Sequence, residues 1–171
     1  MSRAEDYPAG LFGGISAAVV EVGGSAFFAT GTGPGLMLFV GSRFSSFTSL
    51  RGGLAVSTHS EAGTGDRATV LSIFVETYFQ HILSDLTLQV GPRFVAMQRS
   101  RTPLVGTQRG FGAGAVGGAR LSLAARSSVE GGVSFTMVSF GAADRPGLPD
   151  PNRRSSGRLW DIRLCFVYDF E

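Results

Sequence analysis

Apolar and polar residues alternate along most of this chain, and the C-terminal segment shows the pattern most clearly. Every second position is apolar and largely aromatic: Trp160, Ile162, Leu164, Phe166, Tyr168 and Phe170. The intervening positions hold Asp161, Arg163, Cys165, Val167 and Asp169. A period of two residues is typical of a β-strand with one apolar face.

The same alternation recurs upstream and predicts eight strands. Their approximate bounds are 11–22, 36–44, 50–59, 69–80, 86–99, 111–121, 128–140 and 158–170. The segment 11–22 is apolar at both parities, so the pattern leaves its facing open. Three connections are short, around 45–49, 81–85 and 122–126, and four are longer, at 23–35, 60–67, 100–110 and 142–157. Short turns at one end and longer loops at the other are typical of outer-membrane barrels with both termini in the periplasm.

The polar face of these strands is also rich in glycine and carries charges of both signs. The interior of an eight-stranded barrel is narrow, so small residues and a few paired charges fit there. On a soluble lipocalin-like barrel the same glycines would lie on the solvated face and weaken the strands. We therefore expect the apolar face to contact lipid. The predicted interior charge network consists of Arg43, Arg51, Glu76, Arg93, Glu130, Asp161 and Arg163.

The last strand also predicts aromatic girdles, with Trp160 near one membrane boundary and Tyr168 and Phe170 near the other. Phe170, with Tyr168 two residues earlier, resembles the C-terminal assembly signal of outer-membrane proteins, although Glu171 follows it. Pro92 lies inside a predicted strand and removes a ladder donor, which predicts a bulge near Gly91 and Pro92.

Over residues 8–170 the chain resembles the small OmpA/OmpX-type barrels. The resemblance implies a monomeric, all-β, eight-stranded antiparallel up-and-down transmembrane barrel in a bacterial outer membrane, with residues 1–171 as one domain. It also implies insertion by the barrel-assembly machinery. Because no secretory signal is present, the sequence would be that of the mature form.

Composition narrows the choice of function. The chain has 171 residues, of which 43% are hydrophobic, but no run approaches the roughly 18–20 apolar residues of a transmembrane helix. All 15 basic residues are arginine, which excludes a P-loop or Schiff-base lysine. The net charge of +2, without a dense basic run, argues against nucleic-acid binding. Cys165 is the only cysteine, so we expect no internal disulfide and no Cys-based zinc site. We also expect no cofactor.

Residues 112–117 match G-x-G-x-x-G, and Glu130 follows at the distance of a ribose-binding acid. A dinucleotide site needs a strand before this motif and a helix after it. Because the remaining sequence predicts no βα units, we interpret these glycines as packed inside the barrel.

Two histidines have hydroxyl and acidic residues nearby. His59 has Ser57 and Glu61 at alternate positions, whereas His81 has Ser84 and Asp85 close by. Some small barrels are lipid A-modifying hydrolases with a serine and a histidine on the barrel wall, and His59 lies at the better rim for that chemistry. Neither group has a complete nucleophile, base and orienting residue in a known motif. We therefore predict no catalytic residue and expect both histidines to be solvated at the rims.

Seven arginines collect in or beside two predicted outer loops: Arg99, Arg101, Arg109, Arg145, Arg153, Arg154 and Arg158. The predicted lipopolysaccharide contacts among them are Arg101, Arg109, Arg145, Arg153 and Arg154. Bidentate guanidinium contacts would suit lipopolysaccharide phosphates, and a solvated loop surface is an equal alternative. The sequence thus predicts a structural or surface-interaction role, with a lumen filled by side chains. A lipid A-modifying enzyme and a narrow channel or small-solute conduit are the alternatives, and a soluble lipocalin-like binder ranks last.

Overall fold

The chain forms a closed barrel of eight strands in a computed structural model that describes residues 10–23, 30–61, 67–102, 106–141 and 155–170. The strands are β1 (Gly10–Gly23), β2 (Gly31–Arg43), β3 (Thr48–Glu61), β4 (Arg67–Leu83), β5 (Leu86–Thr102), β6 (Gly106–Ala124), β7 (Ser127–Phe140) and β8 (Ser155–Asp169). Each strand pairs antiparallel with its sequence neighbours, and β1 pairs with β8 to close the barrel. Within the described ranges, no helix is long and apolar enough to cross a membrane.

The two ends of the barrel differ in their connections. At one end, here called the turn end, short turns join β2 to β3, β4 to β5 and β6 to β7. The turn between β4 and β5 consists of Ser84 and Asp85, and Ser84 adopts a left-handed conformation with φ of 54°. The opposite end, here called the loop end, carries the connections after β1, β3, β5 and β7. β1 begins and β8 ends at the turn end.

Several strands extend farther toward the loop end than the sequence pattern predicts. The clearest case is the predicted 100–110 connection, because β5 continues to Thr102 and β6 begins at Gly106. Backbone pairing continues here, with Arg101 opposite Gly106. The ladder needs only peptide groups, so strands continue where the apolar alternation has stopped. The strand bounds predicted from side-chain pattern were therefore too short.

The side-chain polarity of the barrel is the reverse of that in a soluble protein. Outward-facing Val40 and Ile162 are each 68% exposed, whereas inward-facing Glu76 and Arg93 are 0% and 1% exposed. The facing of β1, which the sequence left open, follows the same rule: Ile15 and Val19 face outward, and Ser16, Ala18 and Val20 are buried. An apolar exterior of this kind requires a lipid environment. In aqueous solution, most of the large apolar side chains of the barrel would be in contact with water, which is unfavourable.

The bulge predicted near Gly91 and Pro92 is wrong. The β4–β5 register is the same on both sides, with Glu76 opposite Arg93 and Phe79 opposite Val90. Only the two intervening pairs are missing, because proline has no N–H to donate and the strands stay in register without that bond. A Cβ at Gly91 would lie 1.7 Å from the carbonyl oxygen of Thr77, so the close strand contact requires glycine.

The other Gly-Pro pair of the chain, Gly33 and Pro34, has the same effect and was not predicted from the sequence. Thr32 pairs with Ser60 and Gly35 pairs with Ser57, while Gly33 and Pro34 are skipped without a change of register. A Cβ at Gly33 would lie 1.7 Å from the Thr58 carbonyl oxygen. Within the described part of the β6–β7 ladder, the register shifts between Ser122 and Ala124 instead.

Candidate functional site

Strand register brings most of the predicted interior charges to one level of the lumen. Arg51 on β3 lies opposite Glu76 on β4, and Glu76 lies opposite Arg93 on β5. On β7 and β8, Ser134 lies opposite Asp161 and Gly132 lies opposite Arg163. The six charges that meet here are called the central network: Arg51, Glu76, Arg93, Glu130, Asp161 and Arg163.

Glu76 is the centre of this network. It accepts hydrogen bonds from Arg51 Nε at 2.6 Å and Arg163 Nη1 at 2.8 Å, and Arg93 Nε lies 3.4 Å from its Oε1. The Tyr78 hydroxyl donates to Glu76 Oε2 at 2.6 Å. Three arginines therefore share one fully buried carboxylate, an arrangement that compensates its desolvation.

The other two acids each hold one of these arginines. Arg51 Nη1 donates to Glu130 Oε1 at 2.8 Å. Arg93 Nη1 donates to Asp161 and to Ser134, and Ser134 Oγ donates to the same Asp161 oxygen at 2.6 Å. With three arginines and three acids, the central network is electrically neutral. Neutrality is what a water-poor interior requires of several buried charges.

Aromatic rings flank the buried guanidinium groups. The Arg51 guanidinium lies 4.8 Å from the ring centre of Phe39 and 4.6 Å from that of Tyr78. Arg93 lies 5.4 Å from the ring centre of Phe74. Such cation–π contacts stabilise desolvated cations. These aromatic partners were not predicted from the sequence, although each lies at a lumen-facing position of its own strand.

The glycine-rich segment 112–117 lies wholly within β6, with no helix after it in the described chain. A Cβ at Gly114 would lie 1.9 Å from the Phe135 carbonyl oxygen. This segment therefore lacks the strand–turn–helix context of a dinucleotide site. Its glycines allow close strand packing next to the central network.

Arg43 belongs to a second charged group, not to the central network as predicted. Its Nη2 donates to Asp169 Oδ1 at 2.9 Å, and Arg120 Nη2 donates to Asp169 Oδ2 at 2.7 Å. Arg120 Nε also donates to Ser128 Oγ at 2.6 Å. Arg43, Arg120, Ser128 and Asp169 are called the turn-end cluster. All four line a cavity of about 50 Å³, here called the turn-end cavity. Arg43 is separated because Arg51 lies opposite Gly41, which places Arg43 two residues nearer the turn end.

The serine and histidine singled out in β3 meet inside the barrel. Ser57 Oγ and His59 Nε2 lie 2.8 Å apart, and both residues are buried. The expectation of a solvated His59 is therefore wrong, because the odd positions of β3 face the lumen. A lipid-modifying hydroxyl would have to reach a lipid head group, whereas this pair faces away from the lipid-contacting surface. His81 is exposed at the turn end.

Exposed arginines lie on the outer surface at the loop end, beyond the large apolar side chains. These are Arg67 on β4, Arg109 on β6 and Arg158 on β8, here called the arginine rim. Arg158 Nη2 lies 3.4 Å from Glu21 Oε1. Of these three arginines, Arg109 is the one predicted to contact lipopolysaccharide. Of the remaining predicted contacts, Arg101 has its backbone in β5, and Arg145, Arg153 and Arg154 lie outside the described residues.

The predicted girdle residues all face outward. Trp160 lies opposite Phe135, with ring centres 4.5 Å apart, and both lie nearer the loop end. Tyr168 and Phe170 lie at the turn end, with ring centres 5.7 Å apart, and the Phe170 N–H donates to the Leu11 carbonyl at 2.8 Å. Aromatic side chains near both ends of an apolar exterior are typical of transmembrane barrels.

The fold and its reversed polarity define a small, membrane-spanning barrel of the outer-membrane class. No protein-family model and no curated protein sequence matches the chain. Among solved structures, neisserial surface protein A (NspA) is similar with a TM-score of 0.73, at 14% identity over 95% of this chain and 99% of that chain. OprG from Pseudomonas aeruginosa has a TM-score of 0.58, at 10% identity over 95% of this chain and 96% of that chain.

Ail, the attachment invasion locus protein of Yersinia pestis, has a TM-score of 0.57, at 12% identity over 94% of this chain and 99% of that chain. At these identities the similarity shows the fold. The predicted fold class is thus confirmed, and the predicted bacterial outer-membrane location agrees with that of OprG, an outer-membrane protein with this fold.

Proposed function

We propose that this protein is a structural or surface-interaction barrel whose lumen is closed and whose arginine rim binds lipopolysaccharide phosphates. The position of the rim carries the proposal: three exposed arginines lie where the apolar exterior ends at the loop end. Phosphates of the outer leaflet lie at that height when the apolar exterior is matched to the hydrocarbon core.

The chemistry of arginine supports this partner. A guanidinium can donate two parallel hydrogen bonds to one phosphate, which favours arginine over a simple point charge. Arg158 is 55% exposed although Glu21 lies nearby, so its guanidinium is accessible from outside. Ail, which has the same fold, has been crystallised with the heparin analogue sucrose octasulfate. Polyanion binding by Ail supports a test of the same kind of ligand here.

The closed lumen rests on the central network. Its ion pairs join β3, β4 and β5 to β7 and β8 across the interior, and all six side chains are at most 3% exposed. Passage of a hydrated ion would require several of these pairs to separate. The network thus favours a structural role over a narrow channel.

A lipid-specific stability measurement tests the role of the arginine rim. The wild type and an Arg67→Gln/Arg109→Gln/Arg158→Gln variant are refolded in phosphatidylcholine vesicles with and without lipopolysaccharide. Each arginine near an anionic surface contributes about 1 kcal/mol, so lipopolysaccharide should raise the unfolding temperature of the wild type and much less that of the variant. The gel shift between boiled and unboiled samples reports unfolding.

Arg126→Gln is the matched control, because Arg126 is an exposed arginine at the opposite end of the barrel. It should respond to lipopolysaccharide as the wild type does. Dephosphorylated lipopolysaccharide should stabilise none of the proteins. If the triple variant gained as much stability from intact lipopolysaccharide as the wild type, the arginine rim would not be the binding surface.

A further inference from the structure

We infer that the turn-end cavity is a binding site for one small oxyanion group, a carboxylate or a phosphate. The cavity lies at the end of the lumen opposite the arginine rim, so this site is separate from the proposed lipopolysaccharide surface. It borders the two guanidinium groups of the turn-end cluster, Arg43 and Arg120, which share the Asp169 carboxylate.

The balance of charge around the cavity differs from that of the central network. The central network has equal numbers of arginines and acids. Among the described residues that line the turn-end cavity, Arg43 and Arg120 are the cations and Asp169 is the acid. Two guanidinium groups next to one carboxylate create a positive potential in a recess of low dielectric, which attracts an anion.

The geometry around Asp169 leaves room for a second acceptor. Arg120 gives Nη2 to one Asp169 oxygen and Nε to Ser128, and Arg43, which has further contacts, gives Nη2 to the other Asp169 oxygen. A guanidinium carries five N–H donors in a planar fork, so one arginine can serve two acceptors at once. Gln80 and Thr87 also line the cavity and offer neutral polar groups to an anion.

The size of the cavity limits the ligand. One water needs roughly 10–15 Å³, so the cavity of about 50 Å³ suits a group of a few heavy atoms. A carboxylate or phosphate group fits this limit, whereas a sugar or nucleotide base does not. The cavity opens at the barrel mouth, so the group can belong to a free small anion or to a larger molecule that remains outside.

Titration of refolded protein with inorganic phosphate in octyl glucoside, followed by ³¹P line broadening, tests the site. Wild type should broaden the line saturably, and Arg120→Gln should weaken binding about tenfold, by loss of a charge-assisted bond. Asp169→Asn should strengthen binding about tenfold, because it removes the carboxylate that competes for both guanidinium groups. Gly131→Ala, on the outer surface of β7 and outside both proposed sites, should bind phosphate as the wild type does.

The opposite signs of the two changes separate this site from a loss of fold, which would weaken binding in both variants. Acetate should compete with phosphate, since the site recognises an oxyanion. A soluble peptidoglycan peptide that competes at lower concentration than acetate would identify the cell wall as the source of the carboxylate, and equal competition would identify a free anion. The inference is overturned if wild type shows no saturable broadening, or if Asp169→Asn binds more weakly than wild type.

Discussion

Replacement of Glu76 by glutamine tests the central network most directly. Glu76 is fully buried and contacts Arg51, Arg93 and Arg163 through ion pairs of 2.6–3.4 Å. The substitution keeps the shape of the side chain and removes its charge. Three arginines then face two acids, and the interior carries one uncompensated positive charge.

The expected destabilisation follows from this imbalance. Removal of one partner of a buried ion pair costs about 3–5 kcal/mol, because the remaining charge stays desolvated. Glu21→Gln is the control, since Glu21 is partly exposed and lies 3.4 Å from an exposed arginine. An exposed ion pair contributes at most about 1 kcal/mol. Urea unfolding of both variants in phospholipid vesicles, followed by tryptophan fluorescence of Trp160, measures the difference.

A second substitution distinguishes charge imbalance from a general loss of packing. Arg163→Met in the Glu76→Gln background leaves two intact pairs, Arg51 with Glu130 and Arg93 with Asp161. The double variant should therefore be less destabilised than the sum of the single variants, with a coupling of about 1–3 kcal/mol. If Glu76→Gln costs less than Glu21→Gln, or if the two interior changes are additive, the reasoning from buried charge is refuted.

Three further outcomes follow from the structure. Gly91→Ala should lower the free energy of unfolding in the same urea assay by about 1–3 kcal/mol through overpacking, because its Cβ would meet the Thr77 carbonyl. Gly131→Ala should be tolerated, because no atom lies within 4 Å of its Cβ. Planar-bilayer recording of the wild type should show no stepwise conductance, and regular steps would contradict a closed lumen. Ser57→Ala and His59→Ala should leave lipid A composition unchanged by mass spectrometry, since both side chains are buried in the lumen; a lost modification would identify an enzyme.

The fold could be predicted from the sequence because each strand of the barrel wall separates an apolar exterior from a polar lumen, which produces the alternation of polarity. Alternate positions of each strand face the lipid and the lumen. Each charge of the central network could therefore be assigned to the lumen before its partner was known. Strand ends were less predictable, because backbone pairing continues where side-chain alternation stops, as at Thr102 and Gly106.

The pairing of charges was not accessible from parity. Which arginine meets which acid depends on the stagger of the strands and on contacts across the lumen, such as Arg163 with Glu76. The pattern likewise gave no reason to separate Arg43 from the central network. Pro92 was misjudged because a missing donor can be tolerated without a change in register, as the ladder on either side of it shows.

The long-range character of the central network has a consequence for how the barrel is completed. Arg51, Glu76 and Arg93, on β3 to β5, have a net charge of +1, whereas Glu130, Asp161 and Arg163, on β7 and β8, have a net charge of −1. Neither half of the chain can neutralise its own part of the central network. Two polypeptides divided in the connection between β5 and β6 would therefore carry complementary charges, and each would favour the other half over a second copy of itself.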